Sequence, residues 1–242
     1  MTHVYIAIPS YSGEIGAPTV ISLQRALKEA AALGVETTVD IRAHDSLLPR
    51  ARNLLVQHFL DSAATDLVFW DSDVAPDPGG FARLLSHDVD CVAGCYRTRS
   101  DPERYVFRPL PGDREDRATG LIEIEAIGAG FLRLRRQGVE RTAAHFPDLW
   151  IEDRDAGRLT WLFDNLKIGN RYFSEDFVFC QRFREAGGQV WIDPNLALAH
   201  TGPKTFSGCY GDRLRVALGA RVTAEEIAEG DARMRRLTAS FL

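Results

Sequence analysis

The stretch Leu67-Val68-Phe69-Trp70-Asp71-Ser72-Asp73-Val74 carries four apolar residues straight into two aspartates flanking a serine. Two carboxylates one residue apart repel each other, and a divalent cation with oxygen ligands relieves that repulsion. A hard cation held there would in turn hold a diphosphate. The apolar run has the length of a buried strand, and in parallel sheets ligands bind beyond the carboxyl ends of strands, so the pair would point into a crevice. A surface turn with merely solvated acids also fits, because Asp and Ser are common turn residues.

Other residues in the chain have matching chemistry. Glu175 and Asp176 follow Ser174, a good helix N-cap. Acids in a first helical turn stabilise the helix dipole, and a carboxylate in that place can also take a proton from an attacking hydroxyl. His200 closes a short apolar run, as a structural residue or a ligand. Lys204, four residues on, would reach a phosphate or lie in solvent. Gly128-Ala129-Gly130 marks a tight turn or a close approach of backbone to a ligand. Trp150 and Trp161 present faces that stack on sugar rings, and they fit an apolar core equally. Trp191, between Val190 and Ile192, reads as core.

These groups need a scaffold, and the chain is long enough to provide one. It has 242 residues, 45% hydrophobic and 26% charged, enough for a full core. Val4–Ile8, Val35–Ile41, Leu67–Trp70 and Val89–Gly94 read as strands. Helical patterns separate them: Val20, Leu23, Leu27, Ala30 and Ala31 with Gly34 as C-cap, Leu48 to Asp61, and a helix after Pro78. Strands spaced by helices of this length imply βαβ crossovers and a mostly parallel sheet. Residues 96–120 are rich in Pro, Gly and alternating charge, as a linker or a mobile lid. A last helix is expected from Thr223, which opens a capping box. The expected organisation is one α/β domain, with a nucleotide-binding half (1–95), a catalytic and acceptor half (96–205) and a helical tail (206–242).

The net charge of −5 gives no global field toward nucleic acid or an anionic membrane. No apolar run approaches the roughly 18 residues that span a bilayer. The first residues lack the basic and apolar regions of a signal peptide, and the four cysteines form no CxxC pair. A cytoplasmic protein is the expectation.

Asp71-Ser72-Asp73-Val74 matches literally the DxDx[TV] of haloacid-dehalogenase-like phosphatases, in which the first aspartate is a nucleophile. Those motifs normally sit on the first strand of the domain, whereas two βα units precede this one. That class also needs a downstream lysine and a later acidic pair on a strand end. Lys167 and Lys204 are the only lysines after Lys28, and neither has that setting. Six segments in order instead resemble family-2-like glycosyltransferases of the GT-A fold, over residues 3–204. They are IAIPSY (Ile6–Tyr11), RARN (Arg50–Asn53), DSD, IGAGFLRLRR (Ile127–Arg136), the run from Ser174 to Pro194, and HTGPKTF from His200. The resemblance covers 146–173 by position alone.

The resemblance implies a GT-A-like Rossmann-type sheet with a mixed acceptor side. It implies a nucleotide-sugar donor, UDP-linked, and an acceptor hydroxyl on a glycan, lipid-linked saccharide, protein or modified nucleic acid. Asp73 would coordinate Mn2+ or Mg2+ with His200, and Asp71 would touch ribose or metal-bound water. Ser72 lies between them at the donor. Pro9 and Tyr11 would wall the nucleotide, Asp40 at a strand end would accept from its base or ribose, Arg52 would brace its uracil or diphosphate side, and Lys204 would reach a phosphate. Asp176 would be the base of an inverting transfer, with Glu175 orienting it or binding acceptor hydroxyls. Gly128, Ala129, Gly130, Trp150 and Trp161 would face the acceptor. The HxGxK pattern from His200 to Lys204 also occurs in retaining enzymes of this fold, which leaves the stereochemistry open. A non-catalytic nucleotide- or sugar-binding module is the remaining alternative, and the tail helix is a candidate for self-association.

Overall fold

A computed structural model describes residues 2–202 and 204–217. The helix expected from Thr223, and any self-association through it, lie outside the described residues. The first half alternates as the periodicity predicts. It runs β1 (His3–Ser10), α1 (Ala17–Ala32), β2 (Glu36–Ala43), α2 (Leu48–Asp61), β3 (Asp66–Trp70), β4 (Val74–Pro76), α3 (Gly80–Ser86) and β5 (Cys91–Gly94). Then follow β6 (Phe107–Pro109), β7 (Glu115–Asp116), β8 (Leu121–Ile127), β9 (Phe131–Arg135) and α4 (Arg136–His145). Two small hairpins come next, β10 (Trp150–Asp153) with β11 (Gly157–Thr160), and β12 (Leu166–Ile168) with β13 (Arg171–Phe173). The described chain closes with α5 (Glu175–Glu185), β14 (Val190–Asp193), β15 (Leu198–Thr201), β16 (Thr205–Gly208) and α6 (Tyr210–Ala217).

The fold is α/β. A nine-stranded sheet has the order β2-β1-β3-β9-β5-β14-β8-β6, with β7 also on β8. β2, β1 and β3 pair in parallel, as do β5 and β14. β9 enters antiparallel between β3 and β5, and β8 runs antiparallel to β14. The sheet is therefore mixed on the side away from β1. Its two faces are covered separately. Leu55, Val56 and Phe59 of α2 pack on one face with Phe179 and Phe183 of α5. On the other, Ala26 and Ala30 of α1 pack with Phe81 and Leu84 of α3. Every residue of β3 is buried, as a central strand covered on both faces should be.

Residues 96–120 are tied to the sheet rather than free of it, because β6 and β7 both pair with β8. Three cysteines are buried, Cys209 is half-buried, and all four are free thiols. Among the described residues no helix is long and apolar enough to cross a membrane.

Candidate active site

The strand ending in Trp70 turns sharply at Asp71-Ser72-Asp73. The N–H of Val74 donates to the Asp71 carbonyl (3.2 Å), and the Trp70 indole N–H donates to the Val74 carbonyl (2.7 Å). β4 then leaves the main sheet and pairs with β15, setting Val74 opposite His200. The N–H of Asp71 donates to the Gly130 carbonyl (2.9 Å), which brings the glycine segment to the same place. Strand ends thus collect the DSD turn, Gly128–Gly130 and His200. The two aspartates, however, face different partners.

Asp71 turns to Arg52. This arginine of α2 is only 2% exposed. Its Nη2 donates to Asp71 Oδ1 at 3.0 Å and its Nε to Glu175 Oε1 at 3.2 Å. The guanidinium lies over the ring of Phe69 (5.1 Å) and near that of Phe163 (6.0 Å). Burial opposes its charge, but Asp71, Glu175 and Asp176 outweigh that and hold it firmly protonated. Its Nη1 is buried with no hydrogen-bond partner among the described residues. The neighbouring Asn53 is also buried. It accepts from the N–H groups of Leu162 and Phe163 and donates to the Phe163 carbonyl, fixing 162–163 beside α2.

Glu175 and Asp176 open α5 as expected, but Ser174 caps it differently from the usual pattern. Its side chain makes no bond to the helix backbone and donates to the Asp176 carboxylate instead. The N–H of Phe177 donates to the same carboxylate oxygen at 2.8 Å. Burial and the charge of Glu175 still raise the pKa of Asp176, against Ser174, Arg52 and that N–H. It is a carboxylate short of compensation, the condition of a group that accepts a proton.

Tyr96, just past the end of β5, completes this cluster. Burial and the charges of Asp71 and Asp176 push its phenol well up. Gly128 and Gly130 make room for it: a Cβ at Gly128 would lie 2.3 Å from its hydroxyl, and one at Gly130 2.7 Å from its ring. The space beside these glycines is therefore filled by Tyr96, and Ala129 is fully buried.

Asp73 faces His200 instead. Its Oδ1 lies 3.5 Å from His200 Nε2. His200 Nδ1 is 2.9 Å from the Arg97 carbonyl, which only accepts, so Nδ1 carries the proton and Nε2 keeps its lone pair, which accepts from Arg99 Nε at 3.0 Å. Burial lowers the pKa of this imidazole and favours its neutral, ligating form. A carboxylate and an imidazole oriented by a carbonyl behind it make a suitable donor pair for Mn2+ or Mg2+ completed by diphosphate oxygens. Among the described residues no three His, Cys, Asp or Glu side chains are grouped to hold a metal ion. Asp71 Oδ1 is hydrogen-bonded to Arg52 at 3.0 Å.

Asp40 does not end its strand, since β2 continues to Ala43. One of its oxygens is engaged by the Tyr5 hydroxyl (2.5 Å) and His58 Nδ1 (2.8 Å). Pro9 is buried within β1, while Tyr11 beyond it is 76% exposed. The Ser72 carbonyl accepts from the Gly16 N–H at 2.8 Å, joining the DSD turn to the loop after β1. Lys204 stands outside the cluster, with Nζ 2.8 Å from Asp101. Trp150, 42% exposed, lies under the Arg158 guanidinium on the β10–β11 hairpin. The Trp161 carbonyl accepts from Arg182 of α5 at 3.0 Å. Sequence reasoning missed Tyr96, and it missed Arg99, whose guanidinium contacts Asp73 while its Nε lies 3.0 Å from His200 Nε2. It also missed a groove of about 310 Å³ between α5 and the β6–β8 edge, lined by Phe173, Phe177, Gln181, Arg108 and Glu125.

No protein-family model and no curated protein matches the chain. Among solved structures it is similar to A197 from STIV, at 18% identity and TM-score 0.52, over 87% of this chain and 91% of that one. It is also similar to the catalytic domain of Drosophila β1,4-galactosyltransferase 7 in complex with xylobiose, at 14% identity and TM-score 0.45, over 81% of this chain and 66% of that one. A third likeness is to GalNAc-T7 with UDP, GalNAc and Mn2+, at 14% identity and TM-score 0.46, over 83% of this chain and 44% of that one. The likeness to A197 is one of fold.

Proposed function

We propose that the protein is a glycosyltransferase that moves a sugar from a nucleotide-sugar, UDP-linked, to an acceptor hydroxyl with inversion. The observation that carries this reading is the Arg52 bridge. It joins Asp71, at the end of a central strand, to Glu175, at the start of α5, and so brings the first turn of α5, with Asp176, beside the DSD turn.

In this reading Asp73 and His200 hold Mn2+ or Mg2+ together with the donor diphosphate. The bound cation supplies charge compensation for the departing nucleoside diphosphate. Asp176 accepts the proton of the acceptor hydroxyl while that oxygen forms its bond to the anomeric carbon. The bond from that carbon to the diphosphate oxygen breaks, and its electron pair leaves with the diphosphate. Glu175 keeps the local potential negative, which raises the proton affinity of Asp176. Arg52 holds Glu175 and Asp71 in place. Tyr11, beyond the carboxyl end of β1, serves as a wall for the nucleotide.

Mn2+ with UDP is expected to raise the Tm of the wild type, and Asp73→Ala to remove that rise. Absence of a rise with every nucleoside diphosphate tested, metal present, would refute the donor reading.

A further inference from the structure

The cation position beside Asp73 and His200 is already filled by a group of this chain. The Arg99 guanidinium contacts Asp73, and its Nε is 3.0 Å from His200 Nε2. It thus meets the carboxylate and the imidazole lone pair that would ligate a metal ion. An arginine and a divalent cation cannot occupy that place together.

Arg99 is delivered there by a fastened arm. The Thr98 N–H donates to the Arg104 carbonyl (2.8 Å), and Arg97 bridges to Tyr105, closing residues 97–105 into a loop. Asp101 at its tip receives Arg97 (2.6 Å) and Lys204 (2.8 Å). The Arg97 carbonyl meets His200 Nδ1 at 2.9 Å, and Arg213 donates to the Glu103 carbonyl at 3.2 Å. Gly202 leaves room for the arginine stem, since a Cβ there would lie 2.8 Å from Arg99 Cδ. These fastenings are polar, and several are exposed, so they are individually weak and exchangeable. Lys204 then has a role other than touching donor phosphates: with Arg97 and Asp101 it holds Arg99 over the site.

We propose that Arg99 is the resident counter-cation of the Asp73–His200 pair, exchanged for the divalent cation when the donor binds. Because the guanidinium competes with the metal ion alone, the site loads cation and diphosphate together. The diphosphate adds oxygen ligands to the cation and offers the displaced guanidinium a new anionic partner. Arg99 is in this sense a residue that sets the order of loading. The inference rests on the metal-and-donor reading above, but its test separates the two.

The test is Mn2+ titration of the full chain without nucleotide, with free Mn2+ read by electron paramagnetic resonance. Arg99→Ala is expected to bind Mn2+ about tenfold more tightly than wild type, the loss of one charge-assisted contact. Adding Asp73→Asn should abolish the gain, and Arg99→Lys, which keeps the charge, should remain close to wild type. With UDP present the difference between wild type and Arg99→Ala should shrink. An Arg99→Ala protein that binds Mn2+ no more tightly than wild type overturns the proposal, as does a gain that survives Asp73→Asn. Failure of the donor reading would register separately, as no nucleoside diphosphate raising the Tm of either protein.

Discussion

Asp176→Asn is expected to lower sugar transfer by about 10²–10⁴-fold, the range for loss of a positioned general base, while nucleoside diphosphate binding stays nearly intact. The asparagine oxygen can still accept from Ser174 and from the Phe177 N–H, so the geometry of the helix start is retained. The pH profile carries the same signature. The ionised carboxylate is the active form, so kcat/KM falls as acidification protonates it. Because burial and the charge of Glu175 raise its pKa, that fall is displaced upward from where an unperturbed aspartate would put it. Stability moves the other way. A carboxyl whose pKa is raised by folding destabilises the native state once ionised, so its penalty appears as pH rises through that pKa. Asp176→Asn removes the penalty and should raise the Tm at neutral pH, a gain in stability at the expense of activity. Equal losses of transfer and of nucleotide binding would make Asp176 a donor-site or structural residue.

Arg52→Met is expected to destabilise the protein by about 3–5 kcal/mol, the cost of stranding buried charge. Methionine can fill the space between Phe69 and Phe163, but it leaves Glu175 unpaired and Asp71 without its guanidinium. Lysine should not rescue it, because one ammonium on a flexible stem cannot reproduce a planar fork donating to two carboxylates. Neutralising both partners in the same background, as Arg52→Met with Asp71→Asn and Glu175→Gln, should recover much of the loss. Urea unfolding of the four proteins measures this directly. A loss below about 1 kcal/mol for Arg52→Met, the range of exposed pairs, would mean that the bridge is not a buried ionic element.

The parts of the site legible in the sequence are those with a local signal. The apolar run into Asp71 marked a central strand, RARN placed Arg52 on a helix, and Ser174-Glu175-Asp176 marked a helix start. What periodicity does not encode is which partner a charge will choose. Asp71 and Asp73 look equivalent in DSD, yet the chain sends one toward α2 and the other toward β15, because β4 leaves the main sheet at that turn. Tyr96 and Arg99 lie at the start of a charge-balanced stretch with no period, so their convergence on the site depends on long-range packing. The glycines 128 and 130 were visible as a close approach, but their neighbour is Tyr96. Asp40 was misplaced because the β-branched run hides that β2 continues through Arg42 to Ala43. The antiparallel entry of β9 between β3 and β5 is likewise a property of pairing. Its own residues, Phe131-Leu132-Arg133-Leu134, include a fully buried arginine that donates to the carbonyls of Leu85 and His87.

The central claim is that the DSD turn and Asp176, joined through Arg52, form a site that activates a nucleotide-sugar. It is tested most directly by a panel of nucleotide-sugars scored for Mn2+-dependent release of the nucleoside diphosphate, which needs no acceptor. The account predicts release from one donor class, lost with chelator and in Asp73→Ala. Release from none of the panel, or release unchanged in Asp73→Ala, would contradict it.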